Sequence, residues 1–115
     1  MSDGYWDVRL ATRAASDLAD IVAWTATHFG TIQARVYADT INAAVIELRA
    51  GPQINGVRSR TDLGADLYTL HVARHNRRGR HFILFRVAAA GRTIEVLRIL
   101  HDAMDVAHHV PDEEP

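Results

Sequence analysis

Seven histidines and an arginine-rich stretch are the residues of this 115-residue chain best suited to chemistry. His81 and His101 titrate near neutrality, so each can take or give a proton. Arg74, Arg77, Arg78, Arg80 and Arg86 can neutralise phosphate charge through planar guanidinium forks. RNA cleavage needs a base for the 2′-hydroxyl, an acid for the leaving oxygen and cations on the phosphate. On residue type alone, His81, Arg86 and His101 are the candidates for that work. Metal binding is the rival use of histidine. His101, Asp105 and His108 are spaced four and three, which on one continuous helix would place them on one face. His101, however, is expected to precede the helix, and no fourth ligand is evident. His71 and His75 share a strand face but stand about 13 Å apart by strand rise, too far to chelate together. The reading is therefore no metal and no cofactor.

Charge is unevenly spread behind a net value of −1. Residues 1–57 carry four Arg against six acids, residues 58–98 nine Arg against three, and residues 99–115 five acids and no Arg. Every basic side chain is Arg. The middle block suits an anionic partner, and Arg74, Arg77, Arg78 and Arg80 are its candidate contacts. Trp24 and Tyr37 are candidate apolar contacts if a partner helix lies in a groove between helices and sheet, although aromatic residues at such spacing more often pack a hairpin. The chain has no cysteine, no apolar run long enough to span a membrane and no secretory signal at Met1–Asp7. Those features fit a cytoplasmic protein that avoids membranes.

The elements that must position these side chains follow from periodicity. Trp6, Val8 and Leu10 alternate with Asp7 and Arg9, as in a half-buried strand. A helix is expected from Arg13 to about His28, capped by Thr12, with Leu18, Ile21, Val22 and Phe29 on its apolar stripe and Gly30 as its stop. Thr31 should cap a second helix with the stripe Ala34, Ala38, Ile41, Val45 and Leu48, ended by Gly51-Pro52. So short a link predicts an antiparallel helix hairpin. Residues 51–66 read as loop. Strands follow at 67–74, with Tyr68, Leu70 and Val72 on one face, at 80–88, apolar on both faces and so central, and at 93–100. Asp102–Val110 reads as a short capped helix stopped by Pro111. The order predicts one α+β domain over residues 1–115, a two-layer β-α-α-β-β-β-α arrangement with the helix hairpin packed on an antiparallel sheet. Its core spans 6–110, and 111–115 form an acidic tail.

Three stretches carry a resemblance to a known family. They are Asp17-Leu18-Ala19-Asp20-Ile21-Val22-Ala23-Trp24, then Gly79-Arg80-His81-Phe82-Ile83-Leu84-Phe85-Arg86-Val87, and, most specific in order and spacing, Val96-Leu97-Arg98-Ile99-Leu100-His101-Asp102-Ala103-Met104-Asp105. Together they resemble the ParE branch of the ParE/RelE toxins, over roughly residues 6–110. Arg98, His101, Met104 and Asp105 are the signature residues of the last stretch. The resemblance implies the RelE/ParE-like fold, a type II toxin held in a hetero-oligomeric complex by a ParD-like antitoxin encoded beside it, and DNA gyrase as target. It implies an inhibitor protein with no catalytic centre and no sequence-specific contact with nucleic acid.

Two alternatives stay open. One is a RelE-like ribosome-dependent mRNA endonuclease, and the other a non-toxic partner-binding module of the same fold. The nuclease branch carries a catalytic Arg in its middle strand where Phe82 stands here, and tends to use a Tyr near the C-terminus, whereas no Tyr follows Tyr68. Within the signature, Arg98 is expected to be semi-buried on an acid, on the same face as Val96 and Leu100. His101 is expected to bond Asp105 or a backbone carbonyl and so hold the last helix, or to contact a target.

Overall fold

The computed structural model describes residues 4–104. Strand β1 (Asp7–Leu10) leads into helix α1 (Thr12–Phe29) and helix α2 (Thr31–Glu47). A two-residue strand β2 (Arg58–Ser59) follows, then β3 (Leu67–His71), β4 (His81–Ala88) and β5 (Thr93–His101). The strands form one sheet in the order β1-β5-β4-β3-β2, which makes β4 central as its doubly apolar sequence requires. Pairing is antiparallel from β2 to β5, as expected, but β1 runs parallel to β5. The sheet is therefore mixed. The hairpin of α1 and α2 carries the chain back to the sheet end from which β1 set out, so β1 and β5 enter side by side.

Both helices begin one residue earlier than capping chemistry suggests. Thr12 and Thr31 are their first helical residues, Ala11 and Gly30 are the caps, and neither helix has a side-chain cap bond. Gly30 alone joins them, at φ 94°, a left-handed value that disfavours any side chain. On α2, Ala34, Ile41, Val45 and Leu48 are buried as the stripe predicts, with Ala38 part-buried. On α1, Leu18 and Ile21 pack against the core, whereas Phe29 is 65% exposed because the hairpin tip overhangs the sheet. The core lies between the hairpin and one sheet face, where Ile41, Leu48, Leu70, Val72, Ile83, Phe85, Ile94, Val96 and Ile99 meet. None of the helices formed by the described residues is long and apolar enough to cross a membrane.

The β4–β5 ladder shifts register between Leu84 and Phe85, so that Leu84 faces Arg98 while Phe85 faces Val96. Leu97 is the extra residue. This bulge puts both Val96 and Ile99 into the helix-covered core, so Arg98 does not share the face of Val96 as simple alternation would have it. Arg98 is nonetheless buried, at 8% exposure, and paired with an acid. Its Nε and Nη2 donate to the two Asp17 oxygens at 2.7 and 3.0 Å, and the Ile99 backbone N–H donates to the same carboxylate at 2.9 Å. Residues 102–104 form a turn, and the rest of the expected helix to Val110, with the tail at 111–115, lies outside the described residues.

Removing one side of a buried ion pair leaves the other charge uncompensated, at a typical cost of about 3–5 kcal/mol. Asp17→Ala should lower unfolding free energy by about that amount in urea denaturation, and Asp17→Asn, which still accepts from Ile99, by less. Equal and small losses in both variants would remove the pair from its proposed structural role.

Candidate functional site

Following α1 from Asp17, the same helix face presents Asp20, Ile21 and Trp24, spaced three, four and seven residues on. These residues form one wall of a cleft of about 980 Å³ between the hairpin tip and the ends of the central strands. Thr25, Phe29 and Gln33 continue that wall, and Tyr37 of α2 stands at its base. Arg78, Gly79, Arg80, His81 and His101 form the opposite side. Trp24 is 56% exposed, stacks on His28 with ring centroids 4.1 Å apart and meets Phe29 at 5.8 Å. The cleft is thus mostly apolar, with its polar groups gathered at the strand end.

Tyr37 organises that polar end. Its hydroxyl accepts the Arg80 backbone N–H at 3.0 Å and lies 2.6 Å from His81 Nδ1; with the Arg80 N–H on its oxygen, we assign its own proton to that nitrogen. Gly79 lets the strand approach, since a Cβ there would stand 2.6 Å from Val72 Cγ2 and 3.0 Å from the Tyr37 ring. Burial pushes the Tyr37 phenol above its ordinary value. Burial, reinforced by the neighbouring His101, lowers the His81 imidazole to about 4. His81 is therefore neutral at pH 7, and its Nε2 carries the ring proton. His101 lies edge-on to it at 5.2 Å. Its Nδ1 accepts the Ala103 backbone N–H at 3.1 Å, so in its neutral form Nε2 carries the proton here too. The expected partner of His101, Asp105, lies outside the described residues.

Beside the cleft, Asp102 ties two strands to the end of β5. It accepts from His71 Nε2 at 3.1 Å and from Arg80 Nε at 3.3 Å, and its own N–H bonds the Arg80 carbonyl at 2.8 Å. The His71 bond, then the Arg80 bond, hold its carboxyl below the usual carboxylate range.

The arginines divide into two kinds. Arg74 is enclosed, with its side chain 14% exposed, donating to Glu47 Oε1 at 2.6 Å and to the Asn55 carbonyl at 2.6 Å. His75 Nε2 donates to the other Glu47 oxygen at 2.7 Å. Arg74, then His75, lower the Glu47 carboxyl. Arg74, one of the expected partner contacts, thus uses its fork to brace the β3–β4 loop against α2. Arg77 and Arg78 are exposed on that loop, without a side-chain partner among the described residues. Arg80 is 70% exposed and loosely held by Asp102.

The nuclease candidates are not all brought together. His81 and His101 face the cleft, but Arg86 lies five residues along β4 from His81, about 16 Å by strand rise, and on the opposite sheet face. It stands beside Glu95 in the β4–β5 register. His71 and His75 also part, since β3 ends at His71 and His75 lies in the turn at φ 51°. Asp105 and His108 of the spacing considered for a metal lie outside the described residues. Of the signature residues, Arg98 is a buried strut, while Met104 is exposed and its N–H bonds the His101 carbonyl at 3.0 Å. The Tyr37–His81 bond was not visible in the sequence, where 44 positions separate the two residues.

A family model for the ParE toxin of type II toxin–antitoxin systems, parDE, matches residues 8–106. No curated protein sequence matches the chain. Among solved structures, the chain is similar to one from the chromosomal ParDE toxin–antitoxin system of P. aeruginosa, at 24% identity and TM-score 0.66, covering 86% of this chain and 98% of that one. It is also similar to one in the RelBE2 toxin–antitoxin complex of Mycobacterium tuberculosis, at 23% identity and TM-score 0.58, covering 90% and 98%. These likenesses establish the shared α+β fold.

The geometry of His81 sets a pH dependence. Once unfolded, His81 titrates near 6.5, and in the folded chain near 4, so the unfolded state takes up its proton first as pH falls. The His81 contribution to stability is full above pH 6.5 and is lost on descent toward 4. The loss should be about 1–2 kcal/mol after allowance for the ring's partial exposure. Urea denaturation at pH 7 and pH 4.5 measures it, and His81→Phe should flatten the slope. An unchanged slope in that variant would assign the acid sensitivity to another group.

Proposed function

We propose that this chain, which belongs to the ParE toxin family of type II toxin–antitoxin systems, arrests growth by binding its target rather than by cutting RNA. The observation that carries this reading is the family match over residues 8–106. We take DNA gyrase as the target and a ParD-like antitoxin, encoded beside the toxin, as the neutralising partner in a cytoplasmic complex. The site geometry supports binding over phosphodiester cleavage. A nuclease needs its proton-transfer groups and its cations around one phosphate. Here Arg86 is on the far sheet face from His81, and His81 is held neutral by burial and the neighbouring His101.

The β3–β4 loop supports a charge-guided partner. Arg74 is used internally, and that bracing leaves Arg77, Arg78 and Arg80 presented outward at one end of the sheet. An acidic antitoxin segment would meet them there, with Trp24 and Tyr37 offering apolar contact in the adjoining cleft.

Two measurements test the reading. The purified chain, added to gyrase and plasmid, should abolish supercoiling and trap cleaved DNA, and its induction alone in cells should damage DNA before messages disappear. Rapid message cleavage with intact DNA would establish the nuclease alternative instead, and normal growth the non-toxic module. Separately, replacing Arg77, Arg78 and Arg80 by Gln should weaken antitoxin binding about tenfold at low salt and flatten its salt dependence. Unchanged affinity and slope would exclude the loop from the interface.

A further inference from the structure

The polar end of the cleft is biased in a particular way. The backbone N–H groups of Arg80 and Ala103 already occupy the acceptor atoms Tyr37 Oη and His101 Nδ1, and the Tyr37 hydroxyl occupies His81 Nδ1. What remains on the two imidazoles is an Nε2–H on each, and an N–H of that kind can only donate. No buried side-chain N or O atom among the described residues lacks a hydrogen-bond partner. His81 Nε2 has no partner there, so it is open to the cleft. The Arg78 guanidinium lines the same end and is likewise a pure donor, as is Arg80, which Asp102 engages only at 3.3 Å. Against these donors the described residues of the cleft wall set one acid, Asp20, on the α1 side. The helix walls are otherwise Ile21, Trp24 and Phe29, with the uncharged Thr25, Gln33 and Tyr37 between them.

A site with donors at one end and aromatic walls along its length fits a carboxylate carried on an apolar body. We propose that the cleft captures an Asp or Glu side chain flanked by apolar residues on the antitoxin, with the carboxylate received by the His81 and His101 Nε2–H groups and Arg78. This inference rests on the toxin–antitoxin reading above and adds the chemistry of the residue that is read. One of the receiving groups, His81, is an uncharged donor. Recognition here is therefore less sensitive to salt than recognition by Arg77 on the open loop, because hydrogen bonds in a partly enclosed cleft are screened less than exposed charges. The groups around His81 are Tyr37 from α2, His71 from β3, Arg80 from the loop, His101 from β5 and Asp102 just after it, with Asp20 of α1 and Arg78 of the loop lining the same cleft.

The test uses the full chain and two named probes, 4-phenylbutyrate and its neutral amide. Titration followed by NMR of the Trp24 indole N–H and the His81 and His101 ring signals should show the carboxylate binding at least tenfold more tightly than the amide. His101→Leu should abolish that preference and His101→Gln, which restores a donor, should recover part of it. Arg78→Gln, on an exposed loop position that leaves the core intact, should reduce carboxylate affinity several-fold. Equal binding of acid and amide would overturn the inference, as would a preference undiminished in both His101→Leu and Arg78→Gln. Antitoxin binding by the unaltered chain is measured alongside. If the antitoxin binds but the probes are not discriminated, the carboxylate inference alone fails. If no antitoxin encoded beside the chain binds it, the partner reading fails whatever the probes do.

Discussion

One carboxylate holds the two layers in register. Strand β1 pairs with β5 only as far as Val96, so the outer edge of β5 beyond that point has no strand to satisfy it. Asp17, less than two turns into α1, fills that vacancy by accepting the Ile99 N–H and both arms of Arg98. A buried arginine and an orphaned strand amide would each be costly alone, and the shared carboxylate resolves both. The consequence reaches beyond the pair. With Asp17 pinned to β5, the next residues on the same helix face, Asp20, Ile21 and Trp24, are set above the ends of β4 and β5. The cleft is the space left between them.

The bulge at Leu97 belongs to the same constraint. Without it, alternation would place Ile99 on the sheet face away from the helices and turn its neighbours the wrong way for Asp17. The extra residue resets the phase, so that Val96 and Ile99 both fill the core while Arg98 reaches the acid. A bulge leaves no periodic trace in a run such as Val96-Leu97-Arg98-Ile99-Leu100, where every residue but Arg98 is apolar. That is why the burial and pairing of Arg98 could be expected from the sequence and its face could not.

Other differences have similarly local causes. Helix stripes were legible because burial imposes a 3.6-residue period over some seventeen residues, and the central strand because its sequence is apolar on both faces. Two residues of β2 are too few to show a period. The parallel β1–β5 pairing joins segments more than eighty positions apart, and nothing in Trp6–Leu10 marks the direction of its partner. Thr12 and Thr31 look like caps by type, yet the backbone spends them as first helical residues. In the site, residue types were legible and their partners were not. Arg74 differs from Arg77 and Arg78 in that Glu47, one α2 turn beyond the buried Ala44, and the Asn55 carbonyl come within reach.

His81 shows why residue type alone misleads about function. A histidine that shuttles protons must change charge near the working pH. His81 sits where that change is expensive, because burial, the neighbouring His101 and His71 imidazoles and Arg80 all oppose a cation, and only Asp102 favours one. The Tyr37 bond fixes which nitrogen keeps the proton, so the ring becomes a directional donor. The same enclosure that makes it a poor acid–base catalyst makes it a stable feature of the cleft wall, with a hydrogen-bonding pattern that holds across the pH range above its titration. A residue type that suggests proton transfer in the sequence is thus held, in the fold, as a neutral hydrogen-bond donor at the cleft.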